Sequence, residues 1–301
     1  MSENQILNPV QLITMISNYL EEKHIQCNTR YEAELMVSEV LRSDRLGLYL
    51  QFDKPVNESE KKELRELLKK RVSGLPLPYI LGYSYFYGNK YIVDQGVLIP
   101  RPDTEVLVDL ASDTIKNQRK ENLDKPSKIL EIGTGTGIIS MELGMRFKNL
   151  SITGLDIDEC AVLNSEKNLN LYADKLMEGT TISFQRMNAF DMNEDPQQFD
   201  LIVSNPPYVT ETEYSNLSDE ITAHEPSIAL LGDTDGLTFY KFFRDHLPDK
   251  LVTGGSLVFE HGYLQKDKIQ DLFSVSGGKW EFIQAVQDIN GKDRTMAFTK
   301  V

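Results

Sequence analysis

Hydrophobic residues in the first quarter of the chain recur at the three- and four-residue spacings of amphipathic helices. A first helix is predicted to begin at Asn8 and Pro9, because asparagine caps helices and proline fits the first helical position. A second helix is predicted from about Thr29, and a third over residues 57–74, where a terminal glycine suits the helix end. We therefore predict that residues 1–75 form a small all-helical bundle.

The pattern changes over residues 76–102, where four prolines and many aromatic and β-branched residues replace the helical periodicity. The pair Gly88-Asn89 lies between two strand-like runs, which predicts a β-hairpin. The aromatic content is too high for a disordered tether. We therefore predict an ordered hairpin linker.

Short apolar runs alternate with helical patterns over residues 103–301. Five strands are predicted: Lys128–Ile132, Ser151–Asp156, Thr181–Gln185, Leu201–Ser204 and Ser256–Glu260. Alternation of this kind is typical of an α/β domain with a mostly parallel sheet.

Composition narrows the functional classes. Of the 301 residues, 40% are hydrophobic and 26% charged, and the net charge of −14 disfavours a protein that grips nucleic acid. We expect no direct nucleic-acid partner and no membrane association, because no apolar run reaches the length of a membrane helix. The first residues lack the regions of a secretory signal, and Cys27 and Cys160 lack a partner motif. A cytoplasmic protein without a metal site is expected.

A glycine-rich turn follows the first predicted strand of the α/β domain, as Glu131-Ile-Gly133-Thr-Gly135-Thr-Gly137. Glycines permit a tight turn and let a ligand approach the backbone closely. Asp156 ends the next strand, where a carboxylate can accept hydrogen bonds from both ribose hydroxyls of an adenosine. A nicotinamide dinucleotide fits both features, although Ile138 stands where the last glycine of its fingerprint belongs.

The loop after the third strand predicts a further ligand contact, because ligands in open α/β sheets lie beyond the carboxyl ends of the strands. Asn188 can hydrogen-bond the edge of an adenine, with Ala189 and Phe190 beside the ring. A solvent-facing turn asparagine is the alternative interpretation.

The sequence Asn205-Pro206-Pro207-Tyr208 follows the fourth strand and indicates the chemistry. The prolines fix φ and hold Asn205 extended, so its carboxamide oxygen and the Pro206 carbonyl can face one planar NH₂ group. Tyr208 can stack on the flat face of that group. Two aligned acceptors stabilise the positive charge that develops when such a weakly nucleophilic nitrogen attacks a methyl group.

With these motifs the chain resembles the protein-(glutamine-N5) methyltransferases, the HemK/PrmC family that acts on release factors. The resemblance extends over most of the chain, through LPLPYILG at 75–82, VLIPRPDTEVLV at 97–108, HEPSIALLGDTDGL at 224–237, LVFEHGY at 257–263 and DINGKDR at 288–294. It implies a Rossmann-like class I methyltransferase domain over 103–301, preceded by a helical domain that docks the release factor with help from the linker. It also implies transfer of a methyl group from S-adenosyl-L-methionine to the side-chain amide N5 of the glutamine in the Gly-Gly-Gln motif of class I peptide chain release factors. We expect a monomer.

The resemblance also assigns roles to residues. The cofactor-binding residues it implies are Gly133, Thr134, Gly135, Thr136, Gly137, Asp156, Asn188, Ala189 and Asn205. The catalytic and substrate-binding residues are Asn205, Pro206, Pro207 and Tyr208. Asparagine at 188 departs from the aspartate common in such enzymes. Phe86 is expected to form a wall of the glutamine pocket or to pack in the hinge, and Arg101 to contact the substrate or anchor the linker.

Three other functions fit parts of the sequence. An N6-adenine methyltransferase of DNA or RNA can use the same acceptor corner, but it needs basic surface to hold a flipped base. A non-catalytic binding module leaves the intact Asn205-Pro206-Pro207-Tyr208 motif unexplained, as does a nicotinamide oxidoreductase. His224 and His261 are interpreted as structural, because methyl transfer to an amide requires no histidine base.

Overall fold

The computed structural model describes residues 7–50, 53–194 and 197–301, which form two compact units. The helical unit runs to Gly82 and includes Asp219–His224, and the α/β unit comprises Tyr83–Ser218 and Glu225–Val301. The helical unit thus extends beyond the limit at 75 that the sequence predicted. The predicted lack of a secretory signal rests on residues 1–13, of which residues 1–6 lie outside the described residues.

The α-helices of the described residues are α1 (Pro9–Glu22), α2 (Thr29–Leu41), α3 (Arg45–Leu50), α4 (Glu58–Val72), α5 (Leu77–Leu81), α6 (Thr104–Gln118), α7 (Ile138–Arg146), α8 (Glu159–Tyr172), α9 (Glu211–Tyr214), α10 (Asp219–His224), α11 (Thr238–His246) and α12 (Lys266–Ser274). The strands are β1 (Tyr83–Phe86), β2 (Asn89–Ile92), β3 (Ser127–Ile132), β4 (Leu150–Asp156), β5 (Thr181–Arg186), β6 (Phe199–Ser204), β7 (Leu251–Glu260), β8 (Trp280–Gln287) and β9 (Asp293–Lys300). None of these helices is long and apolar enough to cross a membrane.

Reciprocal capping starts two helices of the helical unit. The Asn8 side chain accepts from the backbone N–H of Gln11 at 2.9 Å, and the Gln11 side chain accepts from the backbone of Asn8 at 3.0 Å. Asn57 and Glu60 form the same pair at the start of α4. Such pairs satisfy backbone donors that a helix leaves free at its first turn, which explains why the predicted helix starts are correct.

A fully buried arginine stabilises the helical unit. The Arg71 guanidinium donates to both carboxylate oxygens of Glu32, at 2.6 and 3.1 Å, and to Glu220 on α10 at 2.9 Å. A buried cation requires such partners because burial without them is costly. The segment 219–224 therefore supplies part of the charge compensation inside the helical unit.

The α/β unit is built on a seven-stranded sheet of order β5-β4-β3-β6-β7-β9-β8. All neighbours pair in parallel except β9, which is antiparallel to both β7 and β8. Helices α6, α7 and α8 pack on one face and α11 and α12 on the other, so that successive residues such as Ile129 and Leu130 enter opposite cores. The predicted α/β fold with a mostly parallel sheet is confirmed.

The hairpin forms between β1 and β2, but its turn residues are Tyr87 and Gly88, with φ of 49° and 75°. The predicted turn at Gly88-Asn89 was one residue late, and Asn89 opens the second strand. A tyrosine tolerates this backbone because its hydroxyl lies 2.6 Å from both the Glu105 carbonyl oxygen and the Asp109 carboxylate, either of which can accept its hydrogen, and its backbone N–H donates to the Glu105 side chain at 2.9 Å. These contacts offset the strain of a positive φ.

Candidate active site

A cavity of about 340 Å³ lies where β3, β4 and β6 end. Its walls come from the segments that follow these strands, from the loop after β5, from residues 96–98 and from residues 226–231. The described lining residues include Gly96, Val97, Leu98, Gly133, Gly135, Asp156, Asp158, Asn188, Ala189, Phe190, Asn205, Pro206, Pro207, Pro226, Ile228, Leu231 and Phe239. This is the edge of the sheet where ligands bind in open α/β folds.

Two glycines of the turn after β3 form part of the cavity wall, and the two threonines of the turn are not among the lining residues. Gly133 and Gly135 line the cavity with φ of 74° and 54°, a backbone region that favours glycine. Thr134 and Thr136 are buried, and the Thr134 hydroxyl donates to Glu131 at 3.2 Å. Gly137 packs behind the turn, where a Cβ atom would lie 2.9 Å from the Cβ of Ser165.

Glu131, for which the sequence predicted no role, supports this turn from inside the protein. Its Oε2 accepts from the hydroxyl and the backbone N–H of Ser140 and from Thr134. Its Oε1 is buried without a hydrogen-bond partner among the described residues. Burial raises the pKa of Glu131 to about 8. Glu131 lies in β3, directly before the glycine-rich turn, and its sequence position alone does not indicate a supporting role. Its burial and its hydrogen bonds reveal that role.

Asp156 closes the cavity at the end of β4. Its two carboxylate oxygens accept from the backbone N–H groups of Gly135 at 2.9 Å and of Asp158 at 3.0 Å. Burial raises the pKa of Asp156, and the two backbone donors act in the opposite direction. The carboxylate thus ties the glycine turn to the next helix and still lines the cavity.

Asn188, Ala189 and Phe190 follow β5 and line the cavity together with Asp156 and Ile157, at the end of the neighbouring strand β4. The Asn188 side-chain oxygen accepts from the backbone of Phe190 at 3.2 Å, which leaves its NH₂ group free to donate. Phe190 packs against Phe242 and Phe239, with ring centroids 4.6 and 5.3 Å apart. The loop therefore offers a planar aromatic ligand both an amide that can donate a hydrogen bond and apolar side chains to pack against.

The segment after β6 presents acceptors to the cavity. Asn205, Pro206 and Pro207 line it, and the Asn205 Nδ2 donates to the hydroxyl of Thr104 at 3.1 Å. Among the described residues, neither the Asn205 Oδ1 nor the Pro206 carbonyl accepts a hydrogen bond. Two residues that line the cavity therefore each carry an acceptor oxygen without a protein donor among the described residues.

Tyr208 does not line the cavity, although the sequence placed it on the face of the substrate amide. Its hydroxyl donates to Glu260 Oε1 at 3.1 Å, and its backbone carbonyl accepts from the Gln265 side chain at 3.0 Å. Gly232 lets the segment pass, since a Cβ there would lie 2.7 Å from the Pro207 carbonyl. Tyr208 therefore lies behind the acceptor corner, which we define as Asn205 with the Pro206 carbonyl.

Glu260, at the end of β7, is 1% exposed and lies beneath the same corner. Its Oε2 accepts from the Thr104 hydroxyl at 2.8 Å and its Oε1 from Tyr208. Burial is the main cause that raises the pKa of Glu260 to about 7. Thr104 and Glu260 lie in two of the segments that carried the family resemblance, but nothing in the sequence showed that they meet.

The outer wall of the cavity is held by an ion pair. Arg101 pairs with the buried carboxylate of Glu225, which also accepts from the backbone N–H of Ile99 at 3.3 Å. Arg101 itself is not among the lining residues. Arg101 was expected either to contact the substrate or to anchor the linker. Its contact with Glu225 corresponds to the second role, since it holds residues 96–101 beside residues 226–231.

Phe86 is placed in the hydrophobic core and not in the cavity. It is 2% exposed and packs edge-to-face on Tyr87 and Tyr91, with ring centroids 5.1 and 6.4 Å apart. A side chain at this end of β1 faces α6 and the sheet. Phe86 therefore packs in the core of the α/β unit, and it does not line the cavity as a pocket wall would.

The cavity is acidic at one end and carries no cation among its described lining residues. Asp156 and Asp158 are its only charged side chains there, and the remaining walls are apolar apart from amide and hydroxyl groups. The described residues contain no cluster of histidine, cysteine or carboxylate side chains that could hold a metal ion. Such a site favours a ligand with positive charge and an apolar, planar part.

Comparison with known proteins identifies the fold and the family. Residues 105–227 match the profile described as methyltransferase small domain, and residues 11–82 match the PrmC N-terminal domain. The catalytic domain of hMettl16, solved in complex with MAT2A 3'UTR hairpin 6, shares the fold at a TM-score of 0.50 and 13% identity, over 78% of this chain and 82% of that one. The α/β unit is thus a class I methyltransferase domain.

Two curated relatives are both named release factor glutamine methyltransferase. The protein of Chlorobaculum tepidum is 32% identical over 99% of this chain and 99% of its own length. That of Geobacter sulfurreducens is 35% identical over 92% of each. The chain therefore belongs to the release factor glutamine methyltransferase family, as the sequence motifs predicted.

Proposed function

We propose that this enzyme transfers a methyl group from S-adenosyl-L-methionine to the side-chain amide N5 of the glutamine in the Gly-Gly-Gln motif of class I peptide chain release factors. The observation that carries the proposal is the pair of unpartnered acceptors, Asn205 Oδ1 and the Pro206 carbonyl, beside an acidic cavity. Family membership supports the choice of a release factor as the substrate. The enzyme would act in translation termination, in the cytoplasm.

The residues of the cavity suit S-adenosylmethionine. Asp156 keeps lone pairs for ribose hydroxyls beyond the two backbone donors it already accepts. Ile157, Ala189 and Phe190 offer apolar contact to an adenine, and the NH₂ of Asn188 can donate to a ring nitrogen. The backbone at Gly133 and Gly135 leaves room for the methionine part. When bound, this cofactor supplies a methyl group on a positively charged sulfur.

The chain's own contribution to the reaction is to orient and polarise the target nitrogen. A carboxamide NH₂ has two N–H bonds in one plane, and the Asn205 oxygen and Pro206 carbonyl can accept one each. As the nitrogen attacks, its lone pair leaves the amide resonance and positive charge develops on the N–H groups. Fixed acceptors stabilise that charge without reorganisation, which lowers the barrier.

Among the described lining residues, Asp156 and Asp158 are the only side chains of a type that acts as a general base, and we assign Asp156 to the ribose of the cofactor. The chemistry needs no general base beforehand, because the proton becomes acidic only after the nitrogen has been alkylated. The nitrogen can then release it to water or through the acceptors. Preorganised acceptors and alignment for in-line displacement are therefore the catalytic means we assign to this site.

We further propose that the helical unit docks the release factor. A groove of about 790 Å³ lies between α1 and α4, lined by Met15, Tyr19, Leu68 and Val72 and flanked by Arg65, Lys69 and Glu22. Apolar side chains in a groove rimmed by charges are typical of a protein-binding surface. A release factor held there would add affinity to the contacts of its Gly-Gly-Gln loop.

The function is tested by methyl transfer from labelled S-adenosylmethionine to purified release factor. The matched control is the same factor with the Gly-Gly-Gln glutamine replaced by alanine, and unmethylated DNA is offered in parallel. Label on the native factor and not on the alanine version is expected. Label on DNA alone would overturn the proposed substrate and favour the N6-adenine activity, while leaving the fold unaffected.

A further inference from the structure

We propose that Thr104 and Glu260 are positioning residues for methyl transfer, which hold the Asn205 carboxamide with its oxygen directed at the substrate amide. The inference rests on the proposed function and deepens it. It arises from a chain of hydrogen bonds that runs from Asn205 Nδ2 to Thr104 Oγ1 and from the Thr104 hydroxyl to Glu260 Oε2.

The orientation of Asn205 matters because its side chain has two different ends. The oxygen accepts a hydrogen bond from a substrate NH₂ group, whereas the NH₂ end would oppose it with two donors. A rotation of 180° about the last side-chain bond exchanges these ends with almost no change in shape. The acceptor corner can therefore function only if a contact outside the cavity holds the Asn205 side chain with its oxygen, and not its NH₂ group, toward the substrate.

The hydrogen-bond chain makes this distinction. An ionised carboxylate can only accept, so Glu260 requires the single hydrogen of the Thr104 hydroxyl. The Thr104 oxygen, having given its hydrogen away, can then only accept. Asn205 must therefore turn its NH₂ group toward Thr104, at 3.1 Å, and its oxygen toward the cavity.

The surroundings keep the chain intact. Thr104 is 2% exposed and Glu260 1%, so water has little access to compete for these bonds. The second oxygen of Glu260 is used by the Tyr208 hydroxyl at 3.1 Å. Because Tyr208 follows directly on Pro207, the same carboxylate fixes both ends of the acceptor segment.

Four titratable or charged groups face Glu260. Tyr208 donates to its carboxylate, and Tyr240 donates to its backbone carbonyl at 3.1 Å. Asp103 opposes its ionisation and Arg294 favours it, although Arg294 already pairs with Asp103 at 2.8 Å. With these neighbours and full burial, the pKa of Glu260 rises to about 7. Protonation removes the requirement on Thr104, so the orientation of Asn205 should be lost as pH falls below about 7.

Thr104→Val tests the chain with almost no change in volume, and Thr104→Ser restores the hydroxyl. We expect Thr104→Val to lower kcat about 10- to 100-fold, as displacement of an aligned group does, while KM for the release factor and Kd for the cofactor stay within about threefold. Thr104→Ser should recover most of kcat. Thr114→Val is the matched control, because the Thr114 hydroxyl on the same helix donates to the Leu110 carbonyl. An unchanged kcat in Thr104→Val would refute the proposal.

Glu260→Gln provides a second test that does not depend on the first variant folding. The wild-type kcat should decline below pH about 7, and this acidic decline should disappear in Glu260→Gln. A decline with the same midpoint in the variant would show that Glu260 does not control Asn205. Thermal unfolding of each variant shows whether any loss of rate reflects loss of structure.

A readout without substrate separates this inference from the proposed function. In ¹⁵N-labelled enzyme, the side-chain NH₂ signals of Asn205, assigned by their disappearance in Asn205→Asp, report the bond to Thr104. They should shift in Thr104→Val and remain near the wild-type position in Thr104→Ser. If the wild-type enzyme fails to label the release factor, the function is wrong. If the signals do not respond to Thr104→Val, the positioning role is wrong.

Discussion

The Asn205 carboxamide lines the cavity and offers an acceptor that no described protein group uses. We predict that Asn205→Ala lowers kcat about 10²- to 10³-fold, the usual effect of removing one preorganised group from a transition state. Cofactor affinity, measured by calorimetry, should change far less because Asp156 and the loop after β5 remain. Asn216→Ala, at an exposed position, is the control. Retention of wild-type turnover would contradict the acceptor mechanism.

Buried Glu131 gives the folded protein a pH dependence of known sign. Its pKa is raised from 4.5 to about 8, so its contribution to stability is present below about 4.5 and is lost as pH rises through about 8. We predict that the free energy of unfolding of Glu131→Gln increases relative to that of the wild type between pH 5.5 and about 8.5, because only the wild type loses stability over this range. Urea unfolding followed by circular dichroism measures this difference.

The exposed residue Glu281 on β8 provides the control for that experiment. Glu281→Gln makes the same chemical change at the surface, where charged groups contribute little to stability. A difference between Glu131→Gln and wild type that stayed constant over this range would mean that Glu131 is not buried as the structure shows.

Individual site residues were predictable where a motif constrains the backbone, and not where a partner comes from far along the chain. The motif that begins at Asn205 indicated a ligand contact, and Asn205, Pro206 and Pro207 line the cavity. The contacts of Tyr208 and Glu260, 52 positions apart, arise only when β6 and β7 pair. Phe86 shows the same limit. Nothing in the sequence indicates whether an aromatic side chain in a linker packs in the hydrophobic core or lines a ligand pocket.

The turn between β3 and α7 depends on glycine for two separable reasons. Gly137 has φ of 77°, and a Cβ atom there would lie 2.9 Å from Ser165 and 3.0 Å from Phe184. We predict that Gly137→Ala destabilises the protein by about 2–4 kcal/mol, as the sum of left-handed strain and overpacking. Gly88→Ala, with φ of 75° and no atom within 4 Å of the added Cβ, should cost only about 1 kcal/mol.

Chemical denaturation of both glycine variants checks this prediction. If Gly137→Ala and Gly88→Ala lowered the free energy of unfolding equally, the atoms packed behind the turn would have to move aside at no energetic cost. A larger loss for Gly137→Ala attributes the difference to the close approach of α8 behind the turn.

The elements themselves were predictable in proportion to the clarity of their patterns. The five predicted strands exist because a buried parallel sheet requires continuous apolar runs. Strands β8 and β9 were missed. Strand β8 exposes Phe282 and Ile283 and contains two register shifts, so it lacks a clean alternation, and β9 begins and ends with charged residues. The short helix α5 was hidden by its proline, and the turn at Tyr87 by a residue type that seldom adopts positive φ.

The groove of the helical unit should contribute to recognition of the whole release factor and not to chemistry. Met15 and Tyr19 are 36% and 38% exposed, so truncating them should leave the fold intact. We predict that Met15→Ala and Tyr19→Ala each raise KM for the release factor about 3- to 10-fold, a cost of about 1 kcal/mol, with kcat unchanged. A Gly-Gly-Gln peptide assayed in parallel should show no change in KM.

Leu46→Ala is the control for these variants, because Leu46 is 70% exposed on α3 and lies outside the groove. An equal rise in KM for Leu46→Ala, or for the peptide, would argue that the groove is not the docking surface. Steady-state kinetics with both substrates distinguishes these results.

The inclusion of Asp219–His224 in the helical unit has a consequence for the order in which the chain folds during synthesis. Residues up to Gly82 leave the ribosome first, but Glu220, a partner of the buried Arg71, follows only after residues 83–218 have been made. At about 5–20 residues per second this delay amounts to roughly 7 to 28 s. Until then the Arg71 guanidinium lacks one of its carboxylate partners. The helical unit is therefore complete only after residues 219–224 have been synthesised.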